Sequence, residues 1–418
     1  MAKKNWIICL AILQGVFVDI FSYQYFGNIS LLKLVGLTLA LKYLIQFKSI
    51  KITKIEKIFL TILAFYTLGF LFFNFISPWD DPNFTKKKVL FISFKQILTF
   101  ASELACIHFL ANFLLHDGTK RLKKYLLIFV SFNLTGLFLE YFLAFDLFHF
   151  FTGGEAMLIN NRVRGFNFEP RAANYYAAMF IITLIIIGRW TKTNTLLLVL
   201  SLLGFVISTS MTGNIILSLS IVILLFTGVL LKTHYLKPLL IFSVIATVGF
   251  TLFLQTDYSQ RFKRQITGKA YLLKDSNIAT KFEGADSAVV NFYLHNPTNI
   301  LFGLGAGQSP VATSSAMLER DKKIFPNGYT YLPFMGVILL LANGGLVVIL
   351  AYFAITFLGL QEIRKLNLDK RSKDTLFSIA LIITLAYLLQ VRYFHILGFA
   401  IMIYAELINR NQNSKILR

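Results

Sequence analysis

Long uninterrupted apolar blocks dominate the hydrophobic pattern of this chain, and short polar connections separate them. The stretch from Ile181 to Gly188 (IITLIIIG) shows no alternation of apolar and polar positions. Membrane-spanning strands alternate over roughly ten residues, whereas several blocks here exceed the roughly 18 apolar residues that cross a hydrocarbon layer as a helix. The pattern therefore predicts an all-α fold, a polytopic membrane helix bundle, and argues against a β-barrel.

We place about twelve transmembrane helices on these blocks. Their predicted bounds are 6–26, 29–47, 57–77, 89–115, 124–147, 172–189, 195–210, 213–231, 238–255, 343–362, 376–390 and 396–409. The first block continues to Phe26 without a small-residue cleavage site, so we interpret it as a retained span rather than a signal peptide. An even number of spans puts both termini on the same side of the membrane.

Two predicted connections are much longer than the others, at about 148–171 and 256–342. Long structured loops in compact folds usually have a function. We therefore expect three regions: a transmembrane bundle at 1–255 that includes the loop 148–171, a large periplasmic loop at 256–342 with interfacial and half-buried helices, and the last three spans with a cytoplasmic tail at 343–418.

Composition agrees with a membrane protein, because 56% of the residues are hydrophobic and only 15% are charged. Soluble domains are about one-quarter charged. The net charge of +21 could indicate nucleic-acid binding. However, the cations predicted to lie inside are dispersed over short connections and the tail, as the positive-inside rule requires. We therefore predict cytoplasmic termini and no nucleic-acid partner.

Arginines are concentrated on the predicted outer face, whereas lysines dominate the inner one. The outer arginines are Arg162, Arg164, Arg171, Arg261, Arg264, Arg320 and Arg392. Arginine binds phosphate through two parallel hydrogen bonds, while lysine suits diffuse attraction to anionic lipid. Two interpretations stay open: a phosphate-bearing ligand on the outer face, or solvated loops that contain arginines by chance.

The first candidate site is the stretch 162–171 (RVRGFNFEPR), just before a predicted span. Pro170 suits the first turn of a helix, and Glu169 lies beside that turn. The positive end of this helix would face an anion on the outer side. The alternative is that these charges merely flank a helix end, which explains one charge better than four.

The second candidate is the basic stretch 257–281, where Arg261 and Arg264 stand among aromatic and aliphatic residues. This pattern predicts a partly amphipathic helix lying on the membrane surface. The alternative is that its cations meet only lipid headgroups.

Two further segments contain glycines at informative positions. In 295–307 (HNPTNILFGLGAG) we expect Gly303 and Gly305 to form a tightly packed turn beneath the site. A nucleotide-binding loop is not indicated, because no strand precedes it. In 326–345 an apolar segment leads to paired glycines, which predicts a half-buried helix that breaks and continues; irregular backbone at that depth lines a cavity or is buried in protein.

Charged residues within or near the predicted spans are costly and often functional. They are Asp19, Lys33, Lys42, Lys95, Glu103 and Glu140. Lys33, Lys42 and Glu140 can extend their head groups from helix ends towards the interface. The other three are candidates to pair with one another.

The two cysteines, Cys9 and Cys106, both lie in apolar blocks and indicate neither a disulfide framework nor a thiolate metal site. No spacing of acidic or histidine residues indicates a metal centre. We therefore predict no metal and no cofactor.

Together these motifs resemble the superfamily of O-antigen polymerases and O-antigen ligases, which are polytopic membrane glycosyltransferases. Three pieces are similar in order: Arg164-Gly-Phe-Asn-Phe-Glu-Pro170 with Asn174-Tyr-Tyr-Ala177, Asn296-Pro-Thr-Asn-Ile-Leu-Phe-Gly-Leu-Gly305, and Tyr331-Leu-Pro-Phe leading to Asn343-Gly-Gly-Leu346. The resemblance covers most of the chain. Members often carry a His-Asn pair where this chain has Pro326-Asn327, which favours the polymerase interpretation over the ligase one.

The resemblance implies polymerisation of oligosaccharide repeats, carried on undecaprenyl pyrophosphate, into O-antigen or a related surface polysaccharide. The reaction would take place on the periplasmic face of the bacterial inner membrane. The implied partners are an undecaprenyl-pyrophosphate-linked glycan donor and acceptor and the membrane lipids, with a chain-length regulator protein as a further candidate. Pyrophosphate is a good leaving group, so no metal is required.

Site roles follow from the resemblance together with the arginine pattern. The predicted pyrophosphate ligands are Arg162, Arg164, Arg171, Arg261, Arg264 and Arg320. The predicted catalytic residues are Glu169, as the base for the acceptor hydroxyl, with Arg164, Arg171 and Arg261 neutralising the charge on the leaving group. The predicted structural motif residues are Gly165, Pro170, Asn174, Gly303, Gly305 and Tyr331.

Two other functions stay open. An O-antigen ligase would transfer the glycan to lipid A-core. A non-enzymatic transporter or flippase would move a lipid-linked glycan across the membrane. The single large loop and the absence of an internal repeat disfavour the transporter.

Overall fold

The computed structural model describes residues 2–17, 31–46, 50, 52–76, 78–79, 86–143, 145–152, 163–167, 170–187, 191–208, 210–229, 278–282, 284–324, 332–390 and 394–416. Over these ranges the protein is helical and contains no strands. The all-α prediction is therefore confirmed for the described part of the chain.

Fourteen α-helices organise the described residues. Those of the first half are α1 (Ala2–Phe17), α2 (Leu31–Ile45), α3 (Lys54–Leu71), α4 (Lys86–Leu143), α5 (Leu147–Thr152), α6 (Pro170–Ile187), α7 (Lys192–Ser208) and α8 (Met211–Phe226). Those of the second half are α9 (Gly284–His295), α10 (Ser309–Ala312), α11 (Glu319–Ile324), α12 (Gly336–Lys365), α13 (Lys370–Leu389) and α14 (His395–Ile416). A π-helical turn, Phe72–Ile76, extends α3, and 3-10 turns occupy Ile278–Lys281, Pro297–Ile300 and Ser314–Ala316.

Several helices have the length and apolar composition of membrane spans. In the described residues five segments qualify: Lys54–Ile76, Val89–His116, Arg121–Leu143, Gly336–Lys365 and Lys370–Leu389. Four shorter apolar helices accompany them: Asn5–Val16, Ala172–Ile186, Lys192–Ser208 and Thr212–Phe226. The chain is therefore a helical membrane protein, while the predicted span at 238–255 lies outside the described residues.

The connection predicted between the spans 89–115 and 124–147 is wrong in detail. The backbone stays helical through this region, so α4 covers 58 residues. Lysine, arginine and leucine favour helix, and no proline interrupts them. The two membrane-length segments of α4, Val89–His116 and Arg121–Leu143, are therefore joined by a helical connection rather than by an irregular loop.

α12 also begins earlier than the predicted start at 343. It starts at Gly336 and contains a non-helical residue, Gly345, with φ 65° and ψ −159°. The predicted break at the paired glycines is confirmed, and it lies inside a longer helix rather than ahead of it.

One end of the bundle gathers several connections, and we call it the lysine-rich end. Glu406, at the middle of α14, accepts a hydrogen bond from the backbone N–H of Lys54, where α3 begins (2.7 Å). Asn409 donates to the backbone oxygen of Glu362 in the last turn of α12 (2.9 Å). These contacts bring together the start of α3 at Lys54, the last turn of α12 at Glu362 and the second half of α14 at Asn409.

Small residues allow the helices to approach closely in the core. A methyl group on Gly36 of α2 would lie 2.5 Å from the backbone oxygen of Ser102 in α4. A methyl group on Gly359 of α12 would lie 2.4 Å from the sulfur of Met402 in α14. Close contact through glycine and serine is how helices associate without a hydrophobic driving force in lipid.

Candidate functional site

A cavity of about 650 Å³ opens beside the C-terminal half of α3, at the opposite end of that helix from Lys54. We call it the groove. It is lined by Phe65, Leu68, Gly69, Phe72, Phe73, Pro78, Trp79, Thr298, Asn299, Phe302, Gly303, Gly305 and Asn343. Its volume falls in the range of ligand pockets, about 300–1,000 Å³.

The floor of the groove is the glycine turn, residues 303–307. Gly303, Gly305 and Gly307 all have positive φ values of 77°, 96° and 75°, a conformation that glycine adopts without a steric penalty. The sequence GLGAG therefore encodes the path of the backbone, as we expected for Gly303 and Gly305.

The glycine turn fits directly against the break in α12. The N–H of Leu304 donates to the backbone oxygen of Ala342 (2.7 Å), and the N–H of Gly307 donates to the side-chain oxygen of Asn343 (3.1 Å). A methyl group on Gly303 would lie 2.6 Å from the nitrogen of Gly345. The turn thus satisfies backbone groups that the break leaves unpaired, which is a requirement at membrane depth.

Aromatic rings form one wall of the groove. Trp79 stacks on Phe73 with ring centres 5.7 Å apart, and its indole N–H donates to the backbone oxygen of Leu304 (3.1 Å). The other face of the wall meets Phe292 of α9, edge to face at 5.7 Å. The indole of Trp79 therefore contacts α9, the glycine turn and the π-helical turn that extends α3.

The groove combines this apolar aromatic wall with a few polar residues. The polar lining residues are Thr298, Asn299 and Asn343, and the described lining contains no charged residue. An apolar cavity with few polar groups suits the tail of an amphiphile. Any charged head group would need cations from beyond these lining residues.

The segment 163–167 folds against α4 and α5. Arg164 is 1% exposed, and its guanidinium donates two hydrogen bonds to Asp146, from Nε to Oδ1 (3.1 Å) and from Nη2 to Oδ2 (2.6 Å). Its Cζ atom lies 4.7 Å from the ring centre of Phe148. Asp146 immediately precedes α5, so this bidentate ion pair fixes the segment to the start of that helix.

Glu140 of α4 holds the backbone of the same segment. Its two carboxylate oxygens accept hydrogen bonds from the N–H groups of Arg164 (2.9 Å) and Gly165 (2.8 Å). Gly165 has φ +56°, and a methyl group there would lie 3.0 Å from the nitrogen of Leu137. A glycine is required here because the segment turns directly on the helix surface.

These contacts change two sequence-based interpretations. Arg164 does not present its guanidinium to the outer surface, because the group is buried and bound to Asp146. Glu140 does not extend towards the interface, since it is 7% exposed and bound to backbone N–H groups. We therefore assign Arg164 a structural role in the described conformation, in place of the predicted contact with pyrophosphate.

The other described residues of the motif around Arg164, namely Pro170 and Asn174, also have structural roles. Pro170 is the first residue of α6, as expected. Asn174 donates from Nδ2 to the backbone oxygen of Phe205 (2.8 Å) and to the hydroxyl of Ser208 (3.2 Å). It also packs on Gly213, where a methyl group would meet the Asn174 side chain. Asn174 thus joins α6 to α7 and α8.

The other predicted site residues cannot be located in the site. Arg162, Glu169, Arg261, Arg264, Tyr331 and Arg392 lie outside the described residues, as do the side chains of Arg171 and Arg320. Their predicted roles stay predictions.

The intramembrane charges pair differently from the prediction. Glu103 of α4 lies 3.3 Å from the Nε2 atom of His395 in α14, and Lys33 is within electrostatic range of both Lys95 and Glu103. A cavity of about 30 Å³ adjoins this pair. Asp19, the other expected partner, lies outside the described residues.

Sequence reasoning missed Trp79 and Asp146. It named Asn343 as part of a motif but did not assign it to the site. The pairing of Asp146 with Arg164 depends on how α5 packs, which no local signal shows.

Among the described residues, no three histidine, cysteine, aspartate or glutamate side chains converge on a point that could hold a metal ion. Comparison of the chain with protein-family models and with curated proteins gives no match.

Proposed function

We propose that this protein polymerises undecaprenyl-pyrophosphate-linked oligosaccharide repeats into O-antigen or a related surface polysaccharide. The proposal includes about twelve spans, cytoplasmic termini and a large periplasmic loop at 256–342 in the bacterial inner membrane. The lysine-rich end is then cytoplasmic, as the positive-inside rule requires. The groove faces the periplasmic side.

The observation that carries the proposal is the groove itself. Its aromatic wall suits a polyprenyl tail, and it opens where the glycine turn meets the broken helix α12. Backbone that is non-helical within a membrane bundle lines a cavity or is buried in protein, and such breaks often mark binding sites. The resemblance of the same segments to O-antigen polymerases supplies the chemistry.

In the proposed reaction the acceptor sugar hydroxyl attacks the anomeric carbon of the donor glycan. The bond from that carbon to the pyrophosphate oxygen breaks, and undecaprenyl pyrophosphate leaves with the electron pair. Glu169 takes the hydroxyl proton. Arg171 and Arg261 neutralise the leaving group, with Arg162, Arg264 and Arg320 as further ligands. Arg164 positions the segment 163–167 through Asp146.

The test is the glycan length ladder of a deletion strain complemented with variants. Arg171→Ala and Arg261→Ala should leave a single repeat while the protein remains in the membrane, because the leaving group loses its counter-charge. Arg371→Ala, in the first turn of α13 at the lysine-rich end, is the control and should restore the full ladder. Long chains in either site variant contradict the proposed arginine roles.

The deletion strain also separates the alternatives. Loss of even the single repeat from the surface would indicate a ligase. Accumulation of the lipid-linked repeat on the cytoplasmic leaflet would indicate a flippase. In either case the polymerase proposal fails.

A further inference from the structure

The break in α12 separates two parts of that helix with different neighbours. The part before the break carries Ala342 and Asn343, which accept hydrogen bonds from the glycine turn. The part after the break packs on α14, where Tyr352 meets Phe399 edge to face at 5.4 Å. Between the two parts, Gly345 has non-helical dihedral angles, and residues that absorb such changes serve as hinges. One helix is thus attached to the groove before its hinge and to α14 after it.

The small cavity of about 30 Å³ lies at this hinge. Its lining includes Leu340 from before the break, and Val348 and Tyr352 from after it. Val348 also packs on the break itself, since a methyl group on Gly344 would lie 2.2 Å from its Cγ2 atom. A space of this size holds about one or two water molecules. Side chains that line it can therefore exchange hydrogen bonds without repacking the whole bundle.

A buried pair of titratable side chains lines the same small cavity. A carboxylate oxygen of Glu103 in α4 lies 3.3 Å from the Nε2 atom of His395 in α14, and the two side chains are only 14% and 7% exposed. Rings hold the imidazole in place, with centres 4.3 Å away at Tyr387 and 6.1 Å away at Phe399. Histidine is the side chain whose charge ordinarily changes between pH 5 and 8. The attraction between α4 and α14 at this point therefore depends on a proton.

Glu103 has cationic neighbours besides His395. Lys33 of α2 interacts electrostatically with Glu103 and with Lys95 of α4. When His395 is neutral, the carboxylate is therefore attracted by a different helix. The other titratable groups near the pair in the described part of the chain are Tyr66 of α3, Cys106 of α4, Tyr175 of α6, Tyr352 of α12 and Tyr387 of α13. Tyrosine and cysteine are ordinarily neutral at pH 7 and below, so His395 is the group that changes charge.

We propose that protonation of His395 sets the angle of the hinge at Gly345 and thereby the opening of the groove. In the protonated state, Glu103 draws α14 towards α4, and the part of α12 after the break follows α14 through their ring contact. The part before the break stays with the glycine turn, so the angle changes at Gly345. When the proton leaves, Lys33 attracts the carboxylate instead and the hinge relaxes. The device does not depend on the proposed glycosyl transfer, because any ligand of the groove would meet the same two states.

The test is the fluorescence of Trp79, which lines the groove, in the purified full-length protein. Trp6→Phe and Trp190→Phe leave Trp79 as the single tryptophan. Between pH 5 and 8 we expect one sigmoidal shift of its emission maximum. His395→Gln removes the titratable group and should hold the emission at its alkaline value. His395→Lys places a permanent cation beside Glu103 and should hold the emission at its acidic value.

His108→Gln is the matched control, because His108 also pairs with a glutamate, Glu56, but at the lysine-rich end. It should leave the shift unchanged. Spin labels at Thr298→Cys, beside the groove, and at Phe357→Cys, after the break, measure the hinge directly by pulsed EPR, and the distance between them should change over the same pH range. A wild-type emission that does not shift, a shift that persists in His395→Gln or disappears in His108→Gln, or a constant label distance overturns the proposal.

Discussion

At the scale of single residues, Arg164 shows how an ion pair can replace an expected binding role. Its guanidinium forms a bidentate pair with Asp146 and lies over Phe148. Removing one partner of a buried pair leaves an uncompensated charge, whereas replacing both with apolar residues of similar size is often neutral. The pair therefore supports the segment 163–167 in a way that mutagenesis can separate from catalysis.

Asp146→Asn should lower the free energy of unfolding by about 3 kcal/mol or more, since Arg164 loses its counter-charge in a buried position. Thermal unfolding in detergent measures this change. Glu319→Gln, which breaks the exposed pair with Lys322, is the control and should leave the unfolding temperature unchanged.

The double variant Arg164→Met/Asp146→Leu distinguishes positioning from catalysis. It should regain most of the stability lost in Asp146→Asn and restore long glycan chains, because only the packing of the segment is needed. A stable double variant that makes a single repeat would show that Arg164 itself contacts the substrate.

At the scale of elements, the glycine turn and the break in α12 are complementary parts of one structure. Gly303 and Gly345 both have positive φ, and a methyl group on either would meet the backbone of the other segment. Backbone contacts of this kind leave no side chain that can move aside.

Gly303→Ala should therefore destabilise the protein well beyond the roughly 1–2 kcal/mol that a left-handed conformation costs an alanine. Gly228 provides a matched control, because it has φ +69° but no atom within 4 Å of the added methyl group. Gly228→Ala should show the conformational cost alone. Similar losses in the two variants, measured by unfolding in detergent, would rule out the steric contact.

An element could be predicted where its cause is local in the sequence, and could not where it depends on how helices pack. Spans such as α12 and α13 could be predicted, because long apolar runs have few alternatives to a membrane helix. The prediction of a loop at 116–123 was wrong, because a cluster of charged residues can end a span without ending a helix. The pair of Glu103 with His395 could not be predicted, because it depends on how α4 and α14 pack.

At the scale of the whole molecule, two sets of contacts lie at opposite ends of the bundle. Glu406 meets Lys54 at the lysine-rich end, whereas Trp79 meets Leu304 at the end with the groove. The two ends lie on either side of α3, a segment long enough to cross a membrane. Labelling from the two sides can therefore test the proposed orientation.

Single cysteines at Asn299 and Lys373 should react oppositely with a membrane-impermeant maleimide. We expect Asn299→Cys to be labelled in intact cells from the periplasmic side, and Lys373→Cys only after permeabilisation. The native Cys9 and Cys106 are both fully buried, so the wild-type protein supplies a low background. The reverse labelling pattern would invert the orientation and remove the groove from the periplasm.

The contact between the glycine turn and α12 also has a consequence for biosynthesis. The turn precedes α12 in the chain, and its Leu304 N–H pairs with Ala342 inside that helix. In the proposed orientation, the turn therefore crosses the bilayer during synthesis before α12 leaves the translocon. The non-helical backbone of α12 at Gly345 can then pair with the glycine turn instead of facing lipid.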